Sequence, residues 1–314
     1  MAFMNEYFNI SADGDASFRS GFIAVVGKPN AGKSTLINRI IGQKVSIVSS
    51  KPQTTRHRVL GVKSGDGFQM VFVDTPGIHK PSHELGKFME KVYSSEVRDA
   101  EMVLFLTDCT HPPGDDDRRA REMLLGSDAP PCPVILVINK IDKAGDDGRR
   151  AFREEVSSWG NFTRVMEISA LKGAGVDHLV EEIKNLLPSG PPYFPEDTKS
   201  DQSIQFKAAE IVREKILSRT RQEVPHSVFV HTEEVREGET PGLKYFRIMI
   251  YVEKKSQKGI IIGKGGRLLK KVGSLAREEL EFLTGGKVYL DLWVKVKEDW
   301  KDRKDLLKSW GYII

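Results

Sequence analysis

The chain has almost no cysteine. Cys109 and Cys132 are the two thiols in 314 residues, and they stand in no redox or metal-ligand spacing, so neither a disulfide scaffold nor a zinc site is supported. A reduced, cytosolic setting suits such a chain, with both thiols acting as packing groups. Long apolar runs are missing as well. No stretch approaches the ~20 residues that a membrane-spanning helix needs, which excludes integral insertion but not attachment to a membrane surface. Residues 1–20 have neither the basic start nor the apolar centre of a secretion signal, and with Glu6, Asp13 and Asp15 they read as a flexible leader.

A strong charge of one sign is also lacking, since 48 Lys+Arg oppose 44 Asp+Glu for a net +4. That near-balance hides an asymmetry. From Asp197 to Ile314 there are 24 basic and 18 acidic residues, a balance of +6, against −2 for the rest. A basic second half points to nucleic acid or an anionic membrane surface. With 39% hydrophobic residues the chain can bury a sizeable core, and its length suits two domains.

What is present begins at Gly27. The run Gly27-Lys28-Pro29-Asn30-Ala31-Gly32-Lys33-Ser34, followed by Thr35, fits G-x-x-x-x-G-K-[ST] between the apolar run Phe22 to Val26 and a helical pattern. In that strand–loop–helix setting, backbone N–H groups and the helix N-terminus face a phosphate. Lys33 would reach the β- and γ-phosphates, and Ser34 would ligate Mg²⁺. The polar stretch Ser49 to Arg58 reads as a loop in which Thr54 or Thr55 could complete the metal shell. Phe68 to Val73 reads as a strand running into Asp74-Thr75-Pro76-Gly77. Asp74 would hold Mg²⁺ through water, and Gly77 would let its N–H approach the γ-phosphate. The segment through Ile78, His79, Lys80, Pro81 and Ser82 reads as mobile.

The apolar strand Val134 to Ile138 delivers Asn139-Lys140-Ile141-Asp142. A carboxylate at Asp142 can accept from both N1–H and the exocyclic amine of guanine, whereas adenine would leave that charge unpaired. Asn139 would tie this loop to the phosphate loop, and the Lys140 stem would cover the ring. Ser169-Ala170-Leu171 would bring backbone N–H groups to the guanine carbonyl.

In this order the motifs resemble the Ras-like, translation-factor-related GTPases, and the wording Thr54-Thr55-Arg56-His57 with Asp74-Thr75-Pro76-Gly77 is closest to the Era family. The resemblance implies a P-loop GTPase domain over 21–188, a mostly parallel sheet flanked by helices, with 189–198 as a proline-rich linker. It implies catalysis by Lys33, Thr55, Gly77 and Asn30. Ile78 stands where Ras-like enzymes carry a water-orienting glutamine, and isoleucine cannot do that work. The implied group has a slow intrinsic rate, raised by a monovalent cation, a partner or another part of the chain. Asn30 is the candidate ligand for K⁺.

Beyond the linker, the pattern is α-β-β-α-α-β with Gly263-Lys264-Gly265-Gly266 between adjacent helices, which resembles a type II KH domain, an α+β module, over 199–298. In that module a G-x-x-G loop clamps a single-stranded backbone. Ile262 to Arg267, with Lys258 and Lys270, would form the RNA site. Residues 299–314 read as a terminal helix whose tryptophans are packing anchors. The residues alone leave RNA and DNA open; the Era resemblance implies RNA, narrowed to the 3′ end of 16S rRNA in 30S subunit maturation. It implies GTP or GDP with Mg²⁺ as ligands, a monomer, and a cytoplasmic setting with weak inner-membrane association. The rivals are a membrane-surface signalling GTPase whose basic domain reads anionic lipid, and a GTPase that assists transfer-RNA modification.

Overall fold

The structure is a computed structural model that describes residues 17–78, 83–126 and 129–312. The stretch 1–16 of the expected leader and His79 to Ser82 of the expected mobile segment lie outside the described residues. Cα packing divides the chain into two compact units. Among the described residues, the first takes in 17–46 with 55–78 and 89–201; the second comprises 202–312 together with 47–54 and 83–88.

In chain order the first half contains β1 (Arg19–Gly27), α1 (Lys33–Ile41), β2 (Val59–Gly65), β3 (Phe68–Asp74), α2 (Glu84–Asp99), β4 (Met102–Asp108), α3 (Asp115–Leu125), β5 (Val134–Asn139), α4 (Asp146–Ser157), β6 (Arg164–Glu167) and α5 (Val176–Leu186). The strands form one sheet in the order β2-β3-β1-β4-β5-β6. All pairings are parallel except β2 with β3. β1 begins two residues inside the stretch read as a leader, and Arg19 and Ser20 are ladder residues.

Strand periodicity builds this core on both faces of the sheet. Ile23 and Val25 of β1 point into the cluster shared with α1 and α5, while Ala24 and Val26 point into the cluster shared with α3 and α4. Burying each large aliphatic side chain stabilises the fold by about 1.5–3 kcal/mol. The sheet order reverses about β1, so the loop after Gly27 opens at the carboxyl ends of the strands, where such sheets bind ligands. The proline-rich stretch is fastened rather than free. The Gln69 side chain accepts from the Tyr193 and Phe194 amides at 2.6 and 2.9 Å and donates to the Phe194 carbonyl at 2.8 Å.

The second half contains α6 (Ile204–Leu217), α7 (Val224–Ser227), β7 (Phe229–Glu237), β8 (Leu243–Val252), α8 (Lys255–Ile262), α9 (Arg267–Thr284), β9 (Lys287–Val296) and α10 (Lys304–Ser309). Its sheet runs β7-β8-β9, with β7 antiparallel and β9 parallel to β8. Ser203 caps α6, accepting from the Phe206 amide at 3.2 Å. Val212, Val272, Ala276 and Leu280 from α6 and α9 pack with Phe246, Ile248 and Ile250 from β8.

Three elements differ from the sequence expectation. β2 and the four-residue α7 had no separate signal. The expected long terminal helix is a 3₁₀ turn over Trp300–Asp302 followed by the six-residue α10. Trp300 is fully buried, and its indole N–H donates to the Ser227 carbonyl at 2.9 Å, the packing role expected of it.

Candidate functional site

The phosphate loop is built around one buried ammonium. Lys33, the first residue of α1, is 6% exposed and donates to the Gly27 and Lys28 carbonyls at 3.1 and 3.0 Å. Burial lowers its pKa to about 8, partly opposed by the nearby Asp74 carboxylate. A bound phosphate would supply the counter-charge that burial denies it. A second lysine fixes the loop from outside. The Lys28 ammonium lies 2.7 Å from Asp117, a 1% exposed carboxylate in the first turn of α3 that also accepts from the Gly114 amide.

At the start of α1, three oxygen-bearing side chains converge. Ser34 Oγ lies 2.7 Å from Asp74 Oδ2 and 3.2 Å from Thr55 Oγ1, which is itself 3.3 Å from Asp74 Oδ2. Asp74 is fully buried at the end of β3. Burial pushes its carboxyl pKa up, against the Ser34 hydroxyl, the Lys33 charge and the Ser46 and Thr55 hydroxyls, which lower it. Asp74 Oδ1 makes no hydrogen bond among the described residues, although Ser46 lies near. Two hydroxyls and a carboxylate with an unsatisfied oxygen are a hard donor set that fits Mg²⁺. The structure also chooses between the threonines. Thr55 joins the cluster, whereas the Thr54 hydroxyl donates to the Lys51 carbonyl at 2.6 Å.

The turn after β3 approaches the phosphate loop closely. Thr75 is buried and donates to the Val25 carbonyl at 2.8 Å, which sets Pro76 and Gly77 against Pro29. A Cβ on Gly77 would lie 2.9 Å from the Pro29 Cα, so only glycine brings the backbone this near. Ile78 is 4% exposed and packs in the cluster of Val26, Tyr93 and Val97. It is a core residue rather than the start of the mobile segment expected from the sequence, and it is turned away from any water-orienting work. Asn30 is exposed in a left-handed conformation, φ 61°.

A polar network then joins the phosphate loop to the other end of the cleft. The Asn139 amide donates to the Ala31 carbonyl at 2.8 Å, and its oxygen accepts from the Lys140 and Ala170 amides at 2.7 and 2.9 Å. Gly32 has room for this: a Cβ there would sit 2.2 Å from Asn139 Nδ2. Ser169 donates to Asp142 Oδ1 at 2.5 Å, holding the carboxylate in place. Lys140 has φ 66°, and its ammonium is paired with Asp108 at the end of β4, which aligns its stem. Arg39 on α1 donates to the Ala170 carbonyl at 3.2 Å and to the Leu171 carbonyl. The helix that begins at the phosphate loop thereby also braces the loop expected at the base.

Arg39, Asp108 and Asp117 escaped the sequence reading. Each acts on a partner between 32 and 131 residues away, and nothing local marks them.

The second unit brings its expected residues together at one exposed turn. α8 ends at Ile262, Lys264–Gly266 make a single 3₁₀ turn, and α9 starts at Arg267. Lys264, Gly265, Arg267 and Lys270 are exposed, and Lys258 is half-buried. From Lys254 to Arg277 the sequence has eight basic residues and no acidic one. None of Lys258, Lys264 and Lys270 forms an ion pair among the described residues, so their charge is directed outward. That is the footprint of a polyanion site.

Two family models match the chain. One, described as a 50S ribosome-binding GTPase, matches residues 22–140, and a KH domain model matches residues 223–301. The GTPase Era of Alkaliphilus metalliredigens is 47% identical over 296 residues, which is 94% of this chain and 99% of that relative. The GTPase Era of Alkaliphilus oremlandii has the same identity and coverage. Among solved structures, Era in complex with MgGDPNP and nucleotides 1506-1542 of 16S ribosomal RNA superposes with a TM-score of 0.89 at 42% identity, covering 95% of this chain and all of that one. A single-residue variant of Aquifex aeolicus Era bound to GDP.AlF4- superposes at 0.90, with the same identity and coverage.

Proposed function

From the membership of this chain in the GTPase Era family, we propose that it is a GTP-hydrolysing ribosome-assembly factor that binds the 3′ end of 16S rRNA through its KH domain during 30S maturation. The observation that carries the reading is the pairing of two sites. A buried, cross-braced nucleotide cleft occupies the first unit, and an acid-free basic clamp loop, Ile262 to Arg267, occupies the second. A related Era has been solved with both MgGDPNP and this stretch of 16S rRNA. We divide the chain functionally into a GTPase domain over 21–188, a linker over 189–198, a KH domain over 199–298 and a packed tail over 299–314.

Each residue has a defined task in hydrolysis. Backbone N–H groups from Gly27 to Ser34, with Thr35 in the first turn of α1, surround the phosphates. The Lys33 ammonium bears on the β/γ oxygens, where negative charge grows in the transition state. Ser34, Thr55 and Asp74 would hold Mg²⁺, which neutralises phosphate charge when bound. Gly77 presents its N–H toward the γ-phosphate. Asp142 takes the two guanine donors, and Ser169, Ala170 and Leu171 meet the carbonyl side of the base.

With Ile78 buried, no side chain at that position orders the attacking water, so intrinsic turnover is slow. Asn30 offers its carbonyl to a K⁺ ion near the β- and γ-phosphates. Faster hydrolysis in KCl than in NaCl at matched ionic strength is the expected result, and equal rates would remove the cation from the mechanism.

GTP favours RNA binding over GDP in this proposal. Thr55, a member of the metal cluster, directly follows the segment 47–54 that packs with the second unit. Within that unit Glu214 accepts from the Val48 amide at 3.0 Å, and the buried Arg213 donates to the Thr54 carbonyl. A γ-phosphate that orders Thr55 would therefore bias residues held by α6.

The proposed setting is the cytoplasm, with weak peripheral attachment to the inner membrane. No helix among the described residues is long and apolar enough to cross a membrane. Crosslinking the GTP-loaded chain to cellular RNA and sequencing the fragments tests the proposal. Fragments from the 3′ end of 16S rRNA are expected. Fragments mainly from transfer RNA, or no RNA capture beside firm binding to anionic vesicles, would favour the rival readings.

A further inference from the structure

The sheet of the second unit has one face packed on its helices and one turned outward. Register lines the outward side chains up in transverse rows across all three strands. Arg236, Tyr245 and Tyr289 form the first row; Glu234, Arg247 and Asp291 the second; His231, Met249 and Trp293 the third; Phe229, Tyr251 and Lys295 the fourth.

The fourth row is already covered by the chain itself. Trp310 stacks on Phe229 with centroids 4.1 Å apart, and Trp310 also lies 4.9 Å from Tyr251. Phe229 is only 4% exposed as a result. The β9 ends of the first and third rows differ, although Met249 at the centre of the third is buried. Tyr289 and Trp293, at alternate outward positions of β9, are 58% and 53% exposed. Four residues of strand separate them by about 13 Å.

Tyr289 is held in place before any ligand arrives. The Tyr245 and Tyr289 rings stack at 5.7 Å with 10° between planes, and the Arg236 guanidinium lies over the Tyr245 ring at 4.2 Å. The second row anchors the first. Tyr245 donates to Asp291 at 2.8 Å, and Arg247 bridges Asp291 and Glu234 at 3.3 and 3.4 Å. Little side-chain freedom remains to be lost at Tyr245 when something stacks beside it.

The geometry points to this outer face as a second RNA surface, on which unpaired bases flanking the clamped segment stack against Tyr289 and Trp293. The inference rests on the RNA-binding reading of the KH domain. Three observations select RNA as the occupant. The outward positions of this face carry Arg236, Arg247, Lys287 and Lys295 against Glu233, Glu234 and Asp291, an excess of one positive charge, with all three carboxylates on the side of β7 or within the ionic row and Lys287 and Lys295 flanking the exposed rings on β9. Next, the two exposed rings are separated by a saturated ionic row, so they do not form the continuous apolar centre of a protein interface. Separate aromatic faces beside cations are what single bases stack on. Finally, a G-x-x-G loop grips only about four nucleotides, so a longer RNA continues past it. α8, which leads into that loop, packs on β9, and β9 is the edge strand between the helical side and the outer face.

The test uses the full chain and two RNAs: a six-nucleotide single strand from the 3′ end of 16S rRNA, sized for the clamp, and the stretch 1506–1542. For Tyr289→Ala combined with Trp293→Ala, affinity for the long RNA should fall by about 30-fold or more, the effect of losing two stacked bases. Affinity for the short RNA should stay within about twofold, and Tyr289→Phe with Trp293→Phe should restore long-RNA binding. In the wild type, the long RNA should quench tryptophan fluorescence more than the short one, and Trp293→Phe should abolish that difference. Unchanged long-RNA affinity would overturn the proposal. So would equal losses on both RNAs, or no extra quenching by the long one should the alanine variant fail to fold. Loss of 30S-subunit binding with both RNA affinities intact would assign the face to a protein partner and overturn it too. Failure of the short RNA to bind the wild type would instead count against the KH reading itself.

Discussion

Gly32 of the phosphate loop and Gly265 of the RNA loop both have positive φ, but only the first is also hemmed in by its neighbours. In the GTPase domain, Gly32 is required by its surroundings, because a Cβ would strike the Asn139 amide at 2.2 Å. In the KH domain, Gly265 has φ 61° and nothing within 4 Å of where its Cβ would be, so it is there for conformation alone. The nucleotide cleft is a closed arrangement in which phosphate loop, base loop and α1 brace one another. The RNA loop is open, with outward charges and few internal constraints. Tight discrimination belongs to the first and tolerance to the second, as buried hydrogen bonding and exposed charge dictate.

The largest effect that could break this contrast is at the base. Asp142→Asn removes one of the two acceptors needed by guanine, and at ~1.5–3 kcal/mol per charge-assisted bond the GTP affinity should fall by about 10- to 150-fold. Fluorescent-nucleotide titration measures it, and RNA binding by the nucleotide-free protein should not change. If GTP binds the variant as well as the wild type, the cleft is not the braced recognition site described.

Lys264→Asp with Gly265→Asp is the reciprocal change. Reversing the charge of an open loop should weaken RNA binding by about 10- to 100-fold and flatten its salt dependence. GDP affinity should be unaltered. A loss of GDP binding in this variant would show that the two sites are not separable in the way the contrast requires.

The smallest effect is on pH. Lys33 titrates near 8 when no phosphate is bound, and phosphate favours the ammonium form. Raising pH from 7 to 8.5 should therefore weaken GDP binding by roughly fourfold, with proton uptake growing over that range. The same low pKa means that the unfolded chain binds the Lys33 proton more tightly, so this residue's contribution to the stability of the ligand-free protein rises with pH between about 8 and 10.5. Calorimetry in buffers of different ionisation enthalpy reads the uptake; RNA binding, carried by exposed lysines, should lack this step.

The same contrast governs how much could be read from sequence. Gly27 to Ser34, Asp74 to Gly77 and Asn139 to Asp142 were legible because phosphate and base are met by short loops at strand ends, where local residue types suffice. The KH loop was legible for a similar reason, helped by the absence of acids around it. The bracing was not. Arg39 reaches the Ala170 carbonyl across 131 residues, and Asp117 reaches Lys28 across 89. β2 was missed because glycine and lysine interrupt its apolar pattern; Gly61 is there to let Ile37 pack within 2.9 Å of where a Cβ would stand. The exposed pair Tyr289 and Trp293 was also hidden, since strand alternation in β9 identifies the buried side and says nothing of whether the other side is covered.

The central claim is that the state of the closed site sets the grip of the open one. The direct test is the affinity of the full chain for nucleotides 1506–1542 of 16S rRNA, measured with a non-hydrolysable GTP analogue and again with GDP. Binding should be about fivefold or more tighter with the analogue, the lower end of ordinary coupling between sites. Equal affinity in the two states would contradict it.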